Sequence, residues 1–154
     1  MEDVYRKIAF ELEQDEDGYP PDKWETLWAT EVEGDIFKLD NIPFYARNVS
    51  SEDLVRASLN EEVLEFKELV RSSGNSVFRV YVMEAAEISA ARAEFGALGC
   101  ESELSSSARL FAVEVPSSCS FSPIATLLEE GVRLGRWEYE EACMRHPSEV
   151  HMSE

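Results

Sequence analysis

The chain opens on an alternation. Ile8, Phe10 and Leu12 are spaced by Ala9, Glu11 and Glu13, which predicts a strand over residues 4–13 with one buried face. The turn-forming run Asp15-Glu16-Asp17-Gly18-Tyr19-Pro20-Pro21 ends it. A second strand carries Trp24, Leu27, Trp28 and Val32, Gly34-Asp35 turns the chain into a third over residues 36–39, and Asp40-Asn41-Ile42-Pro43 stops that one. Residues 44–52 have no period and are expected to be irregular. Two further strands are predicted over residues 53–58 and 63–70, joined near Asn60-Glu61. Short strands with short turns and no long helix predict a small antiparallel barrel or strongly curled sheet.

The rhythm then changes. Arg71-Ser72-Ser73-Gly74-Asn75-Ser76 is small, polar and turn-prone, which makes it the boundary between a domain over residues 1–73 and a second over 74–146. In the second, Phe78, Val80 and Val82 define a strand over 77–83. Ile88, Ala91, Phe95 and Leu98 form the apolar stripe of a helix over 87–98, stopped by Gly99. Strands follow over 100–104 and 109–115, the latter with Phe111, Val113 and Val115 on one side. Ser122 reads as the N-cap of a helix with Pro123 in its first turn, turning Ile124, Leu127, Leu128, Val132 and Leu134 inward and ending at Gly135. Residues 137–144 alternate as a last strand. The order β-α-β-β-α-β is the ferredoxin-like split arrangement, with both helices on one sheet face. The fold class is therefore α+β, a barrel-like N-terminal sheet followed by a ferredoxin-like half. Residues 147–154 have no pattern and are expected to be a frayed tail.

Charge narrows the function. The 154 residues hold 32 acids against 14 bases, a formal net charge of −18. Such a field repels phosphate backbones and anionic lipid surfaces, so neither nucleic acid nor membrane is an expected partner. It speeds encounter with a basic protein. The start has no basic stretch followed by an apolar run, and nowhere do about 18 apolar residues stand in sequence. A cytoplasmic protein is the expectation, and Cys100, Cys119 and Cys143, odd in number and widely spaced, read as free thiols.

The chemistry-bearing patterns mostly fail on spacing. Residues 13–18 open like a calcium loop with Gly18 at the sixth place, but the twelfth is Trp24, which cannot ligate. Cys143, His146 and His151 are too few for a zinc site, and Cys143–His146 is a poor thiolate–imidazole pair. No glycine-rich phosphate loop and no nucleophile elbow occur. No metal or cofactor is expected, and no catalytic constellation can be read, so the chain is expected not to be an enzyme. Two binding patches stand out. Phe44 and Tyr45, with Trp137, Tyr139, Glu140 and Glu141, offer aromatics among acids, the makings of an anchor for a basic partner. Arg71, Asn75 and Arg79 could line an anion pocket between barrel and sheet.

The segments Ala9-Phe10-Glu11-Leu12, Trp24 to Ala29, Leu39 to Ala46, Ser73-Gly74-Asn75-Ser76 and Trp137 to Ala142 together resemble a bacterial family catalogued as domain of unknown function 4265. That resemblance implies a bacterial cytoplasmic protein and carries over no functional residue. The residues themselves leave two readings. One is an acidic protein-binding antagonist, such as an immunity protein that occludes a basic toxin domain. The other is a small-molecule-sensing or regulatory module with its ligand between barrel and sheet.

Overall fold

The computed structural model describes residues 4–147. They form two sheets, antiparallel but for one pairing, and two short helices, an α+β composition rich in strand. The chain divides into two compact units that part between Ser73 and Gly74.

The first unit is a ring of five strands, β1 (Tyr5–Glu11), β2 (Trp24–Glu33), β3 (Ile36–Leu39), β4 (Leu54–Asn60) and β5 (Val63–Arg71). Each pairs antiparallel with the next, and β1 closes the ring by pairing in parallel with β5 through Ile8↔Leu64 and Ala9↔Glu65. Closure leaves no free edge among the five. Alternation decides what goes inside: Ile8, Phe10, Leu27, Ala29, Phe37, Leu39, Val55 and Ala57 are buried in one cluster, with Phe66 stacked on Phe10 at 4.7 Å. The irregular connection between β3 and β4 belongs to this core, because it contributes Ala46 and Val49. The β4–β5 turn places Glu61 and Glu62 at φ 52° and 85°, a two-residue turn with both central residues left-handed.

The second unit holds β6 (Ser76–Val82), α1 (Ile88–Ala97), β7 (Glu101–Leu104), β8 (Leu110–Val115), α2 (Ser122–Arg133) and β9 (Trp137–Cys143). Its sheet is antiparallel with strand order β7-β8-β6-β9. Phe78, Val80, Val82, Phe111, Val113 and Val115 share one cluster with Ala91 and Phe95 of α1 and Ile124 and Leu128 of α2. The opposite parity holds polar groups that are equally buried, among them Arg79 and Glu114 at 2% exposure each.

Two sequence expectations about α2 need correcting. Ser122 is the first helical residue and makes no side-chain cap; Phe121 occupies the cap position and instead stacks on Phe78 and His146. Ring packing there outweighs a hydroxyl–amide bond. Val132 and Leu134, expected inside, are 44% and 59% exposed. The buried stripe runs Ile124, Leu128, Gly131. Gly131 is there because the Trp137 indole lies against its backbone: a Cβ at 131 would fall 1.9 Å from Trp137 Cε2. The expected frayed tail lies, beyond Pro147, outside the described residues.

Candidate functional site

The face of the ring turned away from its core is ordered by strand register. Tyr5 of β1 pairs with Thr30 of β2, Thr30 with Lys38 of β3, Lys38 with Leu54 of β4, and Leu54 with Arg71 of β5, so one row crosses all five strands. Paired residues share a face, and the row before it, Ala29 and Leu39, is fully buried. The row therefore looks outward. Arg71 reaches it through a bulge. Val55 pairs with Leu69 while Leu54 pairs with Arg71, so Val70 is the extra residue. Without that slip Val70 would stand opposite Leu54; a bulge re-aims a side chain in this way.

Around Lys38, Leu54 and Arg71 lies a pocket of about 350 Å³, completed by Glu52, Ser72 and Ser73. Its wall is fixed from below by Asp53, which is fully buried. The Asp53 carboxylate accepts from the Ser50 N–H at 3.0 Å, the Ser50 hydroxyl at 3.1 Å and the Ser73 N–H at 2.9 Å. Glu52 sits in the left-handed region at φ 68°, and its N–H donates to the Leu39 carbonyl at 2.7 Å. A non-glycine residue holds that conformation at a cost, sustained here by the strand pairing on one side and the Asp53 network on the other.

One strand away, the same outer parity of β2 carries Trp24, Thr26, Trp28 and Thr30. Trp24 and Trp28 are 45% and 44% exposed. The Lys7 ammonium stands 5.0 Å from the Trp28 ring, Glu11 pairs across from Trp24, and the Asp40 N–H donates to the Trp28 carbonyl. The Trp28 N–H donates to Asn41 Oδ1 at 2.7 Å. Two half-exposed indoles thus share one strand face, Trp24 across from Glu11 and Trp28 beneath Lys7. Their shared parity, opposite to Leu27 and Ala29, was visible in the sequence; which side faced water was not.

The residues singled out from the sequence are placed as follows. Phe44 and Tyr45 are half-buried, and their N–H groups, with that of Ala46, all donate to the Glu25 carboxylate at 2.7–3.0 Å. Tyr45 packs on the core and edge-on to Tyr19. Trp137 is 1% exposed, a core residue whose indole N–H donates to the Leu128 carbonyl, so it presents nothing to a partner. Tyr139 packs on the same cluster and its hydroxyl donates to Glu129. Burial first, then that hydrogen bond, pushes the Tyr139 pKa up. Glu140 pairs with Arg79 at 3.4 Å, and Glu141 alone of this group is exposed. Arg71 lines the pocket of the first unit. Asn75 and Arg79 belong to the second and are buried there; the Asn75 carbonyl oxygen accepts the Ser117 N–H at 2.9 Å. Asn75 thus fastens Ser117, and Arg79 is tied to Glu140 of the same unit. Ser72 and Ser73 adjoin Arg71 in sequence, whereas Lys38 and Glu52 are not legible there because only strand pairing brings them to Arg71.

His146 is an inward-facing fastener as well. Its Nε2 lies 2.9 Å from the Pro116 carbonyl, which can only accept, so Nε2 carries a proton. Nδ1 lies 2.6 Å from the Ser76 hydroxyl, whose oxygen already accepts the N–H groups of Arg145 and His146. The hydroxyl proton is then directed at Nδ1. Cys100 and Cys143 are buried and Cys119 half-buried, all as free thiols. Burial, with a smaller contribution from Cys119, pushes Cys100 up to about 12, which removes it as a nucleophile near neutrality. Among the described residues no three His, Cys, Asp or Glu side chains group as metal ligands, and no helix is long and apolar enough to cross a membrane.

The chain belongs to the family Domain of unknown function (DUF4265), whose model matches residues 25–139. Its fold is similar to that of a hypothetical protein from Neisseria gonorrhoeae, with TM-score 0.76 and 19% identity over 94% of this chain and 98% of that one. No curated protein matches the chain.

Proposed function

We propose that this member of the DUF4265 family is a protein-binding antagonist that holds a basic partner, of the kind an immunity protein makes with a toxin domain, and that it works in the cytoplasm. On this reading the first unit is a small β-barrel used as the recognition module. The second is a ferredoxin-like α+β half.

The observation that carries the reading is the pair Trp24 and Trp28, half-exposed on one outward strand face of a chain with net charge −18. Tryptophan is the residue most often found to dominate an interface when it is centred in a desolvated patch. An acidic surround adds long-range attraction for a basic surface, felt within a Debye length of about 8–10 Å at physiological salt. Phe44 and Tyr45 lie on the connection that follows β3, half-buried and tied to Glu25, and are the second aromatic pair of this reading. Trp137 is excluded by burial and Tyr139 by its packing, so the aromatic anchor moves from the last strand to β2.

The test is capture on the immobilised full chain, wild type against Trp24→Ala/Trp28→Ala. Both indoles are exposed, so the double variant should keep its circular dichroism and melting temperature. A basic protein should bind the wild type, with an association rate that falls steeply as salt rises. The double variant should release it faster, at a loss of about 2 kcal/mol or more. If basic proteins bind both forms equally, or none binds either, the reading fails.

A further inference from the structure

We infer that the pocket between Lys38 and Arg71 is a binding site for a small organic oxyanion, a phosphate or carboxylate compound, whose far end donates a hydrogen bond to Glu52. The inference does not depend on the partner reading.

Three observations carry it. The first is the state of the two cations. The chain has more than twice as many acids as bases, and among the eight cations of the first unit Arg6 pairs with Glu31, Arg56 with Asp35 and Glu68, and Lys67 with Glu65, while Lys7 lies over Trp28. Lys38 and Arg71 form no ion pair among the described residues, although acids surround them in sequence, and they line one pocket. Two cationic side chains that share a pocket with one carboxylate, Glu52, and pair with none leave net positive charge there for a carboxylate or phosphate supplied from outside.

The second observation is that the fold sets this arrangement. The register Lys38↔Leu54↔Arg71 places the cations on either side of one apolar residue, about two strand spacings or roughly 9–10 Å apart at the backbone. Long side chains from both sides can meet over Leu54. The bulge at Val70 is what substitutes an arginine for a valine at that point. Asp53 fixes the Ser73 amide and the Ser50 hydroxyl, and Ser50 and Ser73 hydroxyls lie 3.0 Å apart, so the serine wall is rigid. A fixed wall costs little further ordering when a ligand binds.

The third is the chemistry of the lining. Arg71 offers a planar fork suited to two oxygens of one group, Lys38 a point charge, and Ser72 a hydroxyl. Leu54 gives an apolar floor. Glu52, held at positive φ, is the one acid of the lining and accepts hydrogen bonds, so it selects a ligand carrying a hydroxyl or ammonium as well as the oxyanion. The volume of about 350 Å³ suits a small metabolite.

The experiment is an amide-resolved NMR titration of the ¹⁵N-labelled full chain with inorganic phosphate, acetate and O-phosphoserine, at ionic strength matched with sodium chloride. Saturable shifts at residues 52–54 and 71–73 are expected with at least one oxyanion, and which one saturates assigns phosphate or carboxylate. Affinity should fall about tenfold or more in Lys38→Ala and in Arg71→Ala. Lys67→Ala, on the same strand but outside the pocket, should change nothing, and nor should Trp24→Ala, which separates this site from the partner surface. O-phosphoserine should bind more tightly than phosphate, and Glu52→Gln should erase that difference. All these side chains are exposed, so the variants should fold, as their spectra will show directly. Shifts that do not saturate with any of the three probes, or that survive both cation substitutions, overturn the site; an undiminished preference in Glu52→Gln overturns the part given to Glu52.

Discussion

The two units differ in how they use the outer faces of their strands. In the second, polar side chains are buried there as well as in the turns. Arg79, Glu114, Asn75, Ser76 and His146 are all at or below 9% exposure, and the aromatics Phe95, Phe111 and Trp137 interlock at 5.5–6.1 Å. In the first, one face of each strand builds a small apolar core and the other stays open, carrying Trp24, Trp28, Lys38 and Arg71. Its irregular connection is held by two carboxylates, Glu25 and Asp53, each gathering backbone N–H groups that no strand satisfies. A unit that buries polar side chains on the far face of its sheet is a scaffold. A unit that fixes its loops by carboxylates and leaves a cationic pocket and two indoles outside has surface available for recognition.

The sharpest way to break this contrast is to empty the second core. Phe95→Ala removes a fully buried ring that contacts Phe111 and Trp137, and should cost about 3–5 kcal/mol in urea unfolding. A loss under about 1 kcal/mol would mean that the helices do not anchor the sheet through Phe95.

Next comes the carboxylate of the first unit. Glu25→Ala leaves the N–H groups of Phe44, Tyr45 and Ala46 without their acceptor, at roughly 2–3 kcal/mol, the range for hydrogen bonds to a charged group. Native-state hydrogen exchange should show those three amides deprotected. If they stay protected, something other than Glu25 holds the connection.

Gly131→Ala tests the close contact in α2. In an exposed helix this change would gain about 1 kcal/mol. Here the new Cβ meets the buried indole, and overpacking of about 1–3 kcal/mol or more should reverse the sign. A higher melting temperature would disprove the contact.

The smallest effect is electrostatic. The Glu94 carboxylate binds Arg136 in two hydrogen bonds, one at 3.0 Å, and that pairing holds its pKa below the ordinary carboxylate value. A depressed folded pKa gives stability that is present above the unfolded value and lost as pH falls through the folded one. Glu94→Gln should therefore weaken the fold near neutral pH, by no more than about 1 kcal/mol since both side chains are part-exposed, and cost nothing in acid. A penalty that persists unchanged at low pH would assign the effect to packing.

Legibility in the sequence followed periodicity. Among the described residues, the nine strands and two α-helices lie where alternation or the 3.6-residue stripe puts them, to within a few residues, because a half-buried strand and a helix on a sheet must repeat their apolar positions. Where the period was interrupted, the reading failed. Gly131 carries no apolar side chain, so the stripe of α2 was drawn through Val132 and Leu134. The turn at Glu61-Glu62 lacks the glycine or asparagine that usually marks left-handed positions. The aromatics of β9 and of β2 have similar sequence surroundings, Trp137-Glu138-Tyr139 and Trp24-Glu25-Thr26-Leu27-Trp28, yet Trp137 is core and Trp24 and Trp28 are surface.

Sequence alone determined the element order, the change of rhythm near residue 73, the acidity and the family, since each is a property of neighbours along the chain. Tertiary structure decided which indoles reach water, and which carboxylates gather amides from residues about 20 positions away, as Glu25 does for Phe44, Tyr45 and Ala46. It also decided that Lys38, Leu54 and Arg71 share one row. Strand pairing joins residues by register, and register depends on a ring closed by β1 and β5 and on one extra residue at Val70. Neither leaves a periodic trace in the order of amino acids, because a register shift changes which residues meet without changing any residue's own preference.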